Sequence, residues 1–159
     1  MKISKQRRME NKTNYKKRLI LLKGNSPRLV VRKTGKYVYL QIIESKHAQD
    51  KVMHSINTKD LLEHGWPKEK SGSLKSLTAS YLAGYLLGKK AKDVKERLVL
   101  DTGLIPNTKG SRIYAAVKGV SDAGLKINYD EKVIPSKDRL EGKHNKLDAI
   151  FNKVKGGIK

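Results

Sequence analysis

The sequence predicts an α/β protein, a mixed sheet covered by helices, and three observations carry that prediction. Two β-rich runs, RLVVRKT at 28–34 and YVYLQIIES at 37–45, meet at a short glycine-containing turn. A third alternating run, DKVMHSIN, follows at 50–57. Beyond it, the apolar segment RLVLDTG at 97–103 lies between two stretches whose apolar residues recur at helical spacing. A hairpin followed by helix, strand and helix is the pattern of a sheet with helices layered on it.

Taken in order, residues 1–26 read as a basic arm ending in a short helix. Thr13 and Asn14 are capping residues for a helix over Tyr15–Lys23, with Tyr15, Leu19 and Leu22 on neighbouring turns and Gly24-Asn25 as its stop. Pro27 introduces the α/β domain assigned to 27–125. There the hairpin turns at Thr34-Gly35-Lys36, and Val52, His54 and Ile56 alternate with Met53 and Ser55 in the third strand. A long helix is predicted from Ser73, with Leu74, Leu77, Tyr81, Leu82, Tyr85 and Leu86 facing inward and Ala79, Ala83 and Gly84 allowing close approach to the sheet. Lys89, Lys90 and Lys92 gather at its C-terminal end, where the backbone dipole favours cations. The strand at 97–103 follows. Thr108-Lys109-Gly110-Ser111 then opens a second helix with Ile113, Ala116, Val117 and Val120 inward and Gly124 as its stop. Residues 126–159 read as a C-terminal extension whose weakly amphipathic end (Leu147, Ile150, Phe151, Val154) docks on a partner.

Charge narrows the function. The chain has 159 residues and a formal net charge of +21, enough self-repulsion to weaken a compact state unless a polyanion neutralises it. The charge is uneven: residues 1–36 hold thirteen basic side chains against the single acid Glu10. Nucleic acid is the expected polyanion. There is no apolar run long enough to span a membrane and no apolar centre in the N-terminal segment to make it a signal peptide, so a cytosolic chain without a membrane partner is expected. Cysteine is absent, and His47, His54, His64 and His144 show no ligand spacing, so neither a metal nor another cofactor is expected.

Three constellations are candidates for RNA contact. In the arm, Arg7, Arg8, Lys12, Thr13, Asn14, Tyr15, Lys16, Lys17 and Arg18 interleave phosphate donors with one aromatic surface for stacking, where the plainer alternative is a solvated basic tail. On the hairpin, alternation with Val31 inward sends Arg28, Arg32 and, loosely, Lys36 to water. Lys33 lies beside them, and Tyr37, Tyr39 and Gln41 share one face of the second strand. That face is either an RNA platform or an amphipathic strand whose tyrosines fill the core. At the second helix start, Lys109, Ser111 and Arg112 offer phosphate contact or simple capping. The spacing fits neither a Walker loop nor a dinucleotide fingerprint. Asp101 and Asp122, with Glu44 as a possible third, are the best carboxylates for a Mg²⁺-dependent nuclease, but a strand end and a last helical turn are ordinary structural places for Asp.

Several collinear blocks resemble one family: KTNYKKRLILL (12–22), PRLVVRKTGKYVYLQII (27–43), HGW (64–66), SYLAGYLLGKKA (80–91), LDTGL (100–104), TKGSRIYAAVKGVSDAGL (108–125) and PSKDRLEGKH (135–144). Together they are similar to the universal eighteenth protein of the large ribosomal subunit, the 5S-rRNA-binding family, in its archaeal and eukaryotic form. The resemblance covers about residues 5–142. It implies a mixed five-stranded sheet between helices, the ribonuclease-H-like layering of translational machinery components, and no enzymatic activity. It also implies a place in the central protuberance, with 5S rRNA as main ligand and 23S-type rRNA and neighbouring large-subunit proteins as further partners. The RNA contacts it implies fall on the arm, the first hairpin and the Thr108–Arg112 loop. The readings it competes with are a non-ribosomal RNA-binding protein and a nuclease on a similar fold.

Overall fold

The computed structural model describes residues 5–46 and 49–158; residues 1–4 of the arm, His47, Ala48 and Lys159 lie outside the described residues. The arm opens with a single helical turn, α1 (Gln6–Met9), followed by α2 (Tyr15–Lys23), which starts at Asn14 because the Asn14 side chain accepts the Lys17 N–H at 3.1 Å.

The predicted antiparallel hairpin forms. β1 (Arg28–Lys33) runs antiparallel to β2 (Val38–Lys46), Lys33 facing Val38 and Arg28 facing Ile43. Thr34 closes the turn, its N–H and hydroxyl both donating to the Tyr37 carbonyl at 2.9 Å. β3 (Gln49–Asn57) adds antiparallel to β2. Its alternation breaks: His54 pairs with Ile42 and Val52 with Ile43, so Met53 is an extra residue in a bulge, and Val52 and Met53 are both exposed.

The long helix, α3 (Leu77–Lys90), begins later than Ser73 because Ser76 caps it by accepting the Ala79 N–H at 3.2 Å, while Lys68–Ser73 form 3-10 turns. After it, β4 (Val99–Asp101) pairs parallel with β1, giving an open sheet in the order β3-β2-β1-β4. β4 is shorter than the predicted 97–103 because the Asp101 carboxylate takes the Gly103 N–H at 2.8 Å and Gly103 turns at φ +61°. The expected fifth strand is reduced to one parallel bridge, Leu98 to Ile127. Pairing stops there because Asp130 accepts the Lys132 N–H at 2.9 Å and starts a 3-10 turn that leads the chain away.

α4 (Arg112–Asp122) lies against α3, and α3 lies against β2 and β3. The glycine at 84 serves this helix pair rather than the sheet: a Cβ there would stand 2.2 Å from the Ala116 carbonyl oxygen, and one at Gly119 would stand 2.1 Å from that of Tyr81. Only glycine allows the two backbones so close. The C-terminal segment is also different from expectation. α5 (Lys137–Glu141) and α6 (Asp148–Gly157) pack on α3 of their own chain, and Leu140, Leu147, Phe151, Val154 and Ile158 join the core that holds Leu29, Val31, Leu40 and Leu82. The Phe151 ring sits 5.6 Å from that of Tyr81.

Candidate nucleic-acid interface

The arm is a structured lip. Arg7 holds its turn together from two directions: its carbonyl accepts the N–H groups of Lys12 and Thr13, and its Nε–H donates to the Thr13 hydroxyl at 2.9 Å. Neither α1 nor α2 contains a buried residue, and Met9, Leu19 and Ile20 are exposed beside the cations. Of the three apolar residues on neighbouring turns of α2, Tyr15 and Leu22 are half-buried and Leu19 is exposed. What fixes α2 is polar: Lys17 Nζ donates to the Thr102 hydroxyl at 3.0 Å and the Gly103 carbonyl at 3.2 Å, while Arg18 pairs with Asp50 at 3.2 Å. Arg8 and Lys16 are exposed, Lys12 pairs with Glu10 at 2.7 Å, and the Lys5 ammonium lies 4.6 Å from the centre of the half-buried Tyr15 ring.

Beneath the lip, Asp101 organises the end of the sheet. Its carboxylate meets Arg28 at 3.2 Å and Arg32 at 3.1 Å, and its carbonyl accepts a further bond from Arg32 at 2.6 Å. Arg28 does lie on the face that alternation assigns, but it does not reach water. It is 2% exposed, held by Asp101, by Asp50 at 2.7 Å and by the Ser45 hydroxyl at 2.7 Å. Burying a guanidinium is tolerable only with its charge matched and its donors engaged; two carboxylates match the charge, and three of its N–H groups find acceptors. Asp50 is the other half of the match. Its partial burial opposes ionisation, but the Ser45 hydrogen bond and the Arg28 and Arg18 charges outweigh it, holding the carboxyl below the usual range. Arg32, by contrast, is only partly buried.

The remaining predicted residues divide. Tyr39, directly across from Arg32, is exposed, and Lys33 and Lys36 are exposed nearby. Gln41 is partly buried and donates to the Ser55 hydroxyl at 3.3 Å. Tyr37 packs against the core and leaves the proposed platform. At the start of α4, Ser111 occupies the cap position but makes no capping bond, and its buried hydroxyl oxygen has no partner among the described residues. Lys109 is exposed beside it, and Arg112 is half-buried.

The carboxylates offer no catalytic arrangement. Asp101 is saturated by arginines, while Asp122 accepts from the Tyr81 hydroxyl at 2.9 Å and pairs with Lys118 at 3.0 Å. Burial, then the Asp122 bond, push the Tyr81 phenol well above its ordinary range. No group of three potential metal ligands occurs among the described residues. Among the described residues no helix is long and apolar enough to cross a membrane.

Two clefts under the lip collect most of the arm's predicted residues: one is lined by Arg7, Lys12, Asn14, Lys17, Arg18 and Arg32, the other by Arg8, Tyr15 and Lys16. A third at the start of α4 is lined by Lys33, Ser111 and Arg112. Lys36, Tyr39 and Gln41 line none of these. Four contributors escaped the sequence reading: Thr102, Leu104, Asp50 and Arg139. The LDTG run marked a strand end and an acid, but nothing in it showed that Leu104 would stand exposed beside the arm. Arg139 sat in a segment with no periodicity to orient it.

Comparison with known proteins places the sequence in a family. A family model described as "Ribosomal large subunit proteins 60S L5, and 50S L18" matches residues 1–97. A protein named large ribosomal subunit protein uL18 from Korarchaeum cryptofilum is 44% identical over 144 residues, 90% of this chain and 72% of its own length. Proteins of the same name from Methanoregula boonei and Methanosphaera stadtmanae are 37% and 39% identical, covering 96% and 90% of this chain and 84% and 72% of their own lengths. The chain thus belongs to the family of ribosomal large subunit proteins 60S L5 and 50S L18, as a non-enzymatic constituent of the large subunit of the cytoplasmic ribosome.

Proposed function

We propose that this chain holds 5S rRNA on its α1–α2 lip and anchors it to 23S-type rRNA and to neighbouring proteins in the central protuberance. The observation that carries this reading is a set of cations without carboxylate partners. Among the described residues, Arg7, Arg8, Lys16, Lys33 and Arg112 form no ion pair, in a molecule whose Arg28 and Arg32 are matched by carboxylates. Unmatched charge on a structured surface supports recognition of phosphates at defined positions, with Thr13, Asn14 and Tyr15 adding polar and stacking contacts to irregular RNA. Lys12, Lys17, Arg18 and Arg32 contribute further charge to the same clefts, Ser111 lines the one at the start of α4, and Lys36, Tyr39, Gln41 and Lys109 lie outside all three. Arg28 drops out of the contact set, because it is buried between Asp50 and Asp101; its part is to hold those two carboxylates in place. The resemblance of the sequence blocks to 5S-binding proteins supports the choice of RNA.

The test compares binding of the full chain to 5S rRNA and to an unrelated structured RNA of equal length, at about 0.15 M salt. Preference for 5S rRNA is expected. Equal affinity for both would leave a basic RNA-coating protein instead.

A further inference from the structure

The three clefts are not separate. The two beneath the lip share Thr13, Asn14 and Leu104, and the one lined by Arg7, Lys17 and Arg32 shares Lys33 and Ile105 with the cleft at the start of α4. Shared walls make one continuous track that runs from Tyr15 and Lys16, past Leu104 and Ile105, to Arg112 and Arg139. Its chemistry is uniform. Cations stand along it, and its single carboxylate, Asp101, is already bound by Arg28 and Arg32. The waist is apolar and open to solvent: Leu104 is 52% exposed, and Pro106 is exposed beside Ile105. At the far end Arg139, exposed on α5, forms no ion pair among the described residues, and the uncapped first turn of α4 adds free N–H groups.

We infer that this track is the path of one RNA strand in a non-duplex conformation, and that Arg139 and the Leu104–Pro106 waist are its unrecognised contacts. A duplex presents phosphates on its outside and hides its bases, so it has no use for an apolar waist between two cationic stretches. An unstacked strand has both phosphates to place on the cations and base faces to lay on Leu104 and Ile105. The inference deepens the proposed function and rests on it. It also explains why α5, far along the chain, is folded back to the same surface as the arm: its Arg139 supplies the charge that continues the track beyond Lys33.

The absence of cysteine makes the test clean. Single cysteines at Lys16→Cys, Leu104→Cys and Thr108→Cys carry a tethered hydroxyl-radical source, and cleavage of bound 5S rRNA is mapped. The track predicts three cleavage centres in one uninterrupted stretch of nucleotides, met in the order 16, 104, 108 or its reverse. In parallel, Arg139→Gln is expected to lower the slope of log affinity against log salt by about 0.7, the value for one phosphate on a single strand, while Lys95→Gln leaves it unchanged. Cleavage from position 16 with none from 108, or with cuts in an unconnected region, overturns the track and leaves 5S binding intact. An unlabelled protein that shows no preference for 5S rRNA overturns the proposed ligand first, and the track with it.

Discussion

The α3–α4 layer and the α1–α2 lip are built on opposite rules. Ten of the fourteen residues of α3 are buried, and its contact with α4 is so close that glycine is required at positions 84 and 119. The lip buries nothing on either helix and is attached through the Lys17 ammonium and the Arg18–Asp50 pair. Apolar burial stabilises by roughly 25 cal/mol per Å², whereas an exposed ion pair contributes about 0–1 kcal/mol, so folding free energy resides in the layer. The lip adds little stability and keeps its charges available. Between the two, Asp50 and Asp101 form the joint, each touching an arginine of β1.

This division can be broken at graded points. The largest effect is expected from Gly119→Val, whose side chain would have to enter space held by the Tyr81 carbonyl and the Tyr85 N–H; circular dichroism should show an unfolded or molten chain, while Gly119→Ala loses about 3 kcal/mol or more. Phe151→Ala should cost about 3–5 kcal/mol in denaturant unfolding, showing that the C-terminal helix belongs to the core. Asp101→Ala comes next. It leaves Arg28 with Asp50 as its remaining carboxylate partner, and about 3 kcal/mol is expected to go with it. An intact stability after that change would mean that the arginine finds water by another route.

The smallest effect is a pH dependence at Asp50. Because the folded state lowers this carboxyl, its contribution is present above the ordinary pKa of 3.8 and is lost as pH falls through the lowered folded value. The melting-temperature gap between the wild type and Asp50→Asn should therefore be constant near neutrality and close in acid below that point. A gap that widens on acidification would reverse the assigned sign.

Elements governed by local rules were legible in the sequence. α2 starts and ends where Asn14 and Gly24 predict, and β1 and β2 form the antiparallel hairpin that turns after Lys33 as the Thr34-Gly35-Lys36 signal predicts. Elements governed by partners distant in sequence were not. The spacing of Gly84 said that something approaches closely, but nothing local distinguishes a sheet from a helix as the approaching surface. Alternation put Arg28 on the correct face of β1, yet its burial depends on Asp50 and Asp101, twenty-two and seventy-three residues away. The amphipathic end of the chain announced docking, but the expected partner surface proved to be α3 of the same chain. In the interface, charge runs exposed the arm at once; Leu104 and Arg139 needed the fold to bring them beside it.

The central claim, that binding resides in the lip and stability in the helix layer, is tested most directly by measuring both quantities on one variant. Replacing Arg7, Arg8, Lys12 and Lys16 with Gln should leave the melting temperature of the wild type nearly unchanged. Across a salt titration with 5S rRNA, the same variant should show a slope lower by about 3, roughly 0.7 for each phosphate contact removed. An unchanged slope with unchanged affinity would contradict the account by placing the RNA elsewhere, and a large fall in melting temperature would contradict it by making the lip part of what holds the fold together.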